Sequence, residues 1–173
     1  FQGIVSRNVN PVDAAVISVT QFHAGDAWAV IPTEAVIRGT VRSFRPATRE
    51  MLQQRMHQVT EGICKANDCT FEWWYDRRFP PTINSPQETS AAAAASRSLL
   101  GEANFNSEVE PSTGSEDFGY MLEEKPGCYL FIGNGSSHGG CLLHNPNYDF
   151  NDEIIPIGAS YWVELVEQEL ARA

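Results

Sequence analysis

The chain is short of positive charge. Its 173 residues carry 12 Lys and Arg against 22 Asp and Glu, a formal net charge of −10. The Lys/Arg patches that hold phosphate backbones or anionic bilayers are missing, so neither nucleic acid nor a membrane is expected as a partner. No apolar run approaches the ~18 residues of a membrane span. There is no CxxC pair and no zinc-ribbon spacing among Cys64, Cys69, Cys128 and Cys141. These four read as reduced thiols of a cytoplasmic protein, with Cys64–Cys69 the pair to check for a bridge. The opening Phe1-Gln2-Gly3-Ile4 has neither an initiator Met nor the charged-then-apolar layout of a signal peptide. The expectation is a piece of a longer protein. Internal repeats are absent, and the five alanines at 91–95 are the only low-complexity tract, which a helix explains.

What is present is enough apolar residue, 42%, to build a core in one large domain or two small ones. Residues 1–10 read as the tail of a helix, and Pro11-Val12-Asp13 as a turn. The β-branched stretch 14–22 and the alternating stretch 34–44 read as strands. Pro46 opens a helix whose apolar stripe includes Met51, Leu52, Met56, Val59 and Ile63. The aromatic-rich 70–75 looks like a third strand. Helix tail, strand, strand, helix, strand is a split βαβ, ferredoxin-like pattern that lacks its first strand and most of its first helix. Three prolines, Pro80, Pro81 and Pro86, mark a boundary after residue 80. Beyond it the sequence predicts a helix over 87–100 stopped by Gly101, a short strand and loop over 102–114, and a helix capped by Ser115 with Glu116 and Asp117 in its first turn. A buried strand over 129–132, a Gly/Ser/Asn loop and a closing amphipathic helix from 153 or 154 to about 171 follow.

Several residues stand out chemically. His144 sits between an apolar pair and the Asn145-Pro146 turn, ahead of Asp149 and Asp152. A neutral imidazole there suits a first-row metal, and equally a His satisfied by a backbone carbonyl; one ligand is not a site. Asp149 and Asp152 read first as loop and cap residues. Glu116 and Asp117 are adjacent carboxylates, but neighbours on a helix face different ways, so helix-terminus stabilisation is the simpler role. The backbone at Gly114-Ser115 offers N–H groups suited to a carboxylate. Arg42, on the second strand, is either a solvated strand Arg or a bidentate carboxylate binder. His23 ends the first strand. His138 lies in the Gly/Ser loop with its role open, and His57 reads as a solvated helix residue.

Taken together and in order, Ser115-Glu116-Asp117-Phe118, Phe131-Ile132-Gly133-Asn134-Gly135 and Leu143-His144-Asn145-Pro146 resemble the C-terminal part of the M20 metallopeptidase and aminoacylase family. The likeness is to its amidohydrolase branch of hippurate and auxin-conjugate hydrolases. The stretch from Gln21 to Pro32 also resembles that family's lid segment, commonly Gln-Ile-His-Gly-Gly-x-Ala-x-Asn-Val-Ile-Pro.

The resemblance implies an α+β or α/β architecture. Residues 1–80 would be an incomplete ferredoxin-like lid and dimerisation domain, and 81–173 the C-terminal part of an α/β metallo-exopeptidase-like catalytic domain. It implies a metal-dependent hydrolase of the amide bond of N-acyl amino acids or small dipeptides, using two divalent ions (Zn, Mn, Co or Ni), and a homodimer formed through the lid. His144 would be a metal ligand, and Arg42, His23, Gly114 and Ser115 would bind substrate. No catalytic residue falls on this portion. The general-base Glu and the other ligands belong to family motifs that nothing here matches. The sequence departs at Ala29, where the family usually has Asn; a missing amide donor of that kind removes ~2.7–4 kcal/mol of transition-state stabilisation. The alternatives are a non-catalytic ferredoxin-like dimerisation module and an inactive family member.

Overall fold

The structure is a computed structural model that describes residues 1–135 and 143–170. It is α+β, and the chain divides into two compact units. One comprises Phe1–Pro81 together with Ser112–Ser115; the other comprises Thr82–Pro111 and Glu116–Ala173.

In the first unit, helix α1 (Gln2–Asn8) leads through a turn closed by the Asp13 N–H to the Asn10 carbonyl (2.8 Å) into strand β1 (Ala15–His23). Strand β2 (Val36–Ser43) returns antiparallel, pairing Ala15 with Ser43 at one end, then Val16 with Arg42, and His23 with Val36 at the other end. The register shifts between Val19 and Gln21, leaving a bulge at Thr20. Gly39 is needed beside it, because a Cβ there would lie 2.1 Å from the Ser18 carbonyl oxygen. Helix α2 (Pro46–Ala66) starts with proline in its first turn, where the missing N–H has no intrahelical role. Its N-terminal end is tied to Asp13, which pairs with Arg45 (3.0 Å) and accepts the Thr48 hydroxyl (3.3 Å). Ile4, Ile17 and the fully buried Leu52 form the core, so α1, α2 and one face of the hairpin close on each other.

The expected third strand over 70–75 is not paired with a neighbour among the described residues. Its alternation has another cause. Phe71, Trp73 and Tyr75 are half-buried while Glu72, Trp74 and Asp76 face outward. Phe71 and Trp73 present their rings to His57 on α2, with centroids at 5.3 and 5.5 Å. The segment is extended and two-sided because it packs on a helix, not because it joins a sheet. His57, expected to be solvated, is half-exposed and also packs its ring against these aromatics.

In the second unit, helix α3 (Pro86–Leu100) ends at Gly101, whose φ of 74° is the left-handed geometry glycine supplies. Residues Glu102–Asn104 form a single 3-10 turn in place of the expected short strand. Helix α4 (Phe118–Glu124) starts after Asp117, so Ser115 does not cap it. Asp152–Ile154 form a 3-10 turn that runs into helix α5 (Ile155–Leu170). The core is Ala92 and Ala95 of α3 against Tyr161 of α5, with Leu99, Cys128, Leu130 and Leu165 around it.

The expected buried strand over 129–132 has no ladder partner among the described residues, and Phe131 is exposed. A side chain replaces the missing strand. The Asn84 amide donates to the Tyr129 carbonyl and accepts from the Tyr129 N–H, both at 2.8 Å. Cys64, Cys69 and Cys128 are free thiols, so Cys64 and Cys69 form no bridge; Cys141 and His138 lie outside the described residues. Among the described residues no helix is long and apolar enough to cross a membrane.

Candidate functional site

The strongest convergence of predicted site residues is at Arg42. The alternation of β2 puts it on the strand opposite Val16, half-buried. Its Nη1 donates to the Thr113 carbonyl (2.8 Å) and to the Ser115 hydroxyl oxygen (2.7 Å). Residues more than seventy positions apart in sequence thus meet, and Gly114 lies between the two acceptors. Both acceptors are neutral. Among the described residues no carboxylate pairs with Arg42, nor with Arg7, Arg38, Arg49 or Arg55, whereas Arg45, Arg77, Arg78 and Arg97 each have one. An arginine anchored through one terminal nitrogen by neutral oxygens keeps its charge uncompensated, and its remaining planar N–H edge can take a carboxylate bidentately.

Gly114 does not lie at a helix N-terminus. Its N–H is bonded to the Ser112 hydroxyl (3.3 Å), and α4 begins only at Phe118. Ser115 was the natural cap by residue type, but its hydroxyl faces the guanidinium instead. Glu116 accepts the Tyr129 hydroxyl (2.8 Å) and the Asp117 N–H (3.1 Å). The Tyr129 hydroxyl first, and then the Asp117 side chain, lower the pKa of the Glu116 carboxyl from its ordinary value.

His23 is exposed at the far end of the hairpin from Arg42. Seven residues along β1 separate it from Val16, the partner of Arg42, which is about 20 Å of strand. The two are therefore not brought together within one chain. Ala29 sits in an exposed turn next to the fully exposed Trp28.

His144 is exposed and left-handed, with φ of 69°, a conformation tolerated by few residues other than glycine. The turn after it is closed twice: the Asn145 side chain accepts the Asn147 N–H (2.9 Å), and the Asn145 carbonyl accepts the Tyr148 N–H (3.0 Å). The 3-10 turn at Asp152 is capped by Asn151, whose side chain accepts the Glu153 N–H (3.1 Å). A solvent-facing imidazole on a hydrogen-bonded turn fits one position of a divalent-metal site. Among the described residues no group of three or more His, Cys, Asp or Glu could hold an ion.

Sequence reasoning missed Asn134 and Asn151, which bind each other at the base of the His144 loop. A signal existed for one of them: Asn151-Asp152-Glu153 is an N-cap residue followed by acidic first-turn residues.

Residues 3–168 match the model of peptidase family M20/M25/M40, and the chain belongs to that family. It is 35% identical over 165 residues to the hippurate hydrolase of Campylobacter jejuni, covering 95% of this chain and 42% of that protein. It is 37% identical over 167 residues to an N-acetyl-L-cysteine deacetylase of Bacillus subtilis, covering 94% and 38%. The crystal structure of a dinuclear metal-binding peptidase of the M20 family from Bacillus subtilis matches with a TM-score of 0.75 and 29% identity, over 92% of this chain and 43% of that one. The chain thus spans about two-fifths of the length of these relatives.

Proposed function

We propose that this chain takes part in the metal-dependent hydrolysis of the amide bond of an N-acyl amino acid of hippurate type, or of a small dipeptide. The observation that carries it is Arg42: a half-buried guanidinium, fixed by Thr113 and Ser115, with no carboxylate partner among the described residues. An N-acyl amino acid has a free carboxylate at a fixed distance from its amide. Held on Arg42, that carboxylate would orient the scissile bond, and positioning of this kind lowers the barrier by removing the freedom of the reactants in advance. Ser115 and the Gly114 turn would line the same subsite.

His144 would be one ligand of a pair of divalent ions, which when bound supply Lewis-acid polarisation of the amide carbonyl and an activated water. Within this reading residues 1–80 are a ferredoxin-like lid and dimerisation domain, and 81–173 belong to the catalytic domain. A homodimer through this domain would let His23 serve a site other than that of its own chain's Arg42. The cytoplasmic location read from the cysteines belongs to the same proposal.

The test uses the protein as its source produces it, assayed on hippurate with added Zn²⁺, Mn²⁺ or Co²⁺. His144→Ala should abolish metal-dependent hydrolysis. It should also weaken metal binding by more than the roughly 10- to 100-fold typical when only a ligand's hydrogen-bond partner is changed. Undiminished hydrolysis and metal affinity in that variant would sink the assignment.

A further inference from the structure

The segment 143–151, which carries His144, is tied to Asn134 by three hydrogen bonds. The Asn151 N–H donates to Asn134 Oδ1 (2.8 Å), Asn134 Nδ2 donates to the Asp149 carbonyl (3.0 Å), and Asn151 Nδ2 donates to the Asn134 carbonyl (3.2 Å). Asn151 is only 8% exposed, and its remaining side-chain oxygen accepts the Glu153 N–H (3.1 Å), which joins the clasp to the turn leading into α5. A buried amide with its groups satisfied rigidifies what it holds, while a half-satisfied one is costly. Gly135, with φ of 77°, turns the chain out of the clasp immediately after Asn134. On the other side, the doubly closed turn 145–148 reaches from His144 to Asp149, itself a member of the clasp. Two hydrogen-bonded turns, joined by the chain at Tyr148-Asp149, therefore lie between the clasp and His144.

We propose that Asn134 and Asn151 are positioning residues for His144, setting the place from which its imidazole ligates a divalent ion. The inference rests on the metal-ligand reading of His144. Neither asparagine contacts the ion. They fix the loop so that little ordering remains to be done when the ligand binds, and that difference appears as metal affinity.

The experiment measures Zn²⁺ affinity by competition with a chromophoric chelator, and the visible spectrum of the Co²⁺-loaded protein, for wild type, His144→Ala, Asn134→Ala and Asn134→Asp. Asn134→Ala should lose about 10- to 100-fold in Zn²⁺ affinity and alter the Co²⁺ bands. Asn134→Asp keeps the acceptor for the Asn151 N–H and should recover part of that loss. If His144→Ala binds Zn²⁺ like wild type, the metal reading fails and this inference falls with it. If His144→Ala loses affinity while Asn134→Ala keeps both affinity and spectrum, the ligand reading stands and the clasp is a loop staple only. Should Asn134→Ala fail to fold, hydrogen exchange of the wild-type Asn151 amide decides. Exchange should slow further, roughly tenfold, when Zn²⁺ is added, and no change overturns the proposal.

Discussion

The two units are stabilised by opposite means. The first closes on long aliphatic side chains, with Leu52 of α2 fully buried against Ile4 and Ile17. The second closes on alanines, with Ala92 and Ala95 of α3 letting Tyr161 of α5 approach. The candidate site residues differ in the same spirit. Arg42 is gripped directly by Thr113 and Ser115, whereas His144 has its position fixed only through its loop. The difference separates two kinds of vulnerability. A core of large side chains is damaged by truncation, one of small side chains by enlargement. A directly held group is damaged by changing its own chemistry, an indirectly held one by loosening its support.

Truncation gives the largest expected effect. Leu52→Ala should destabilise the first unit by about 2–5 kcal/mol, the sum of lost transfer energy and the cavity left behind. Urea denaturation measures it, and a loss below about 1 kcal/mol would show that the unit collapses around the gap. Next comes Arg42. Arg42→Lys keeps the charge but replaces a planar fork by a point charge, so carboxylate-bearing substrates should lose about 1.5–3 kcal/mol, roughly 10- to 100-fold in kcat/KM. Amides without the carboxylate should be hydrolysed as before. An equal loss on both substrates would place Arg42 in the architecture of the fold and not in substrate binding.

Enlargement is the complementary challenge to the second unit. Ala95, fully buried, has no room for more volume, and Ala95→Leu should cost about 1–3 kcal/mol through displaced neighbours. A neutral or stabilising result in thermal melts would mean that the interface of α3 with Tyr161 is loosely packed, and the contrast between the units would dissolve.

Much of this organisation is written in local pattern. The alternation of 34–44 and the apolar stripe from Met51 to Ile63 anticipate β2 and α2, and Gly101 anticipates the end of α3. The same kind of pattern misleads at 70–75 and 129–132. Period-two alternation records which side of an extended segment is covered, not whether a strand lies beside it. At 70–75 the cover is α2, and at Tyr129 the ladder bonds are made by the Asn84 side chain. Pairings across long separations left no local trace: Arg42 with Ser115, and Asn134 with Asn151. Ser115 shows the conflict directly, since its residue type and the acids after it suit a helix cap while its hydroxyl is occupied by a guanidinium from β2.

The smallest effect sharpens the comparison from the second unit's surface. Tyr129 donates to Glu116, and the bond lowers the carboxyl's pKa while raising that of the phenol. For a carboxyl with a depressed folded-state pKa, the stabilisation is present above its unfolded value, about 4.3, and is lost as pH falls through the folded value. For a phenol with a raised folded-state pKa, the stabilisation is present below its unfolded value, about 10, and is lost as pH rises through the folded value. The bond should therefore contribute only between these limits. Tyr129→Phe should lower the urea midpoint slightly near neutral pH, and the gap from wild type should narrow as pH falls below the unfolded carboxyl value of about 4.3 and through the lowered folded value. A gap of constant size from neutral to acid would mean that the hydroxyl's contribution does not depend on the charge of Glu116.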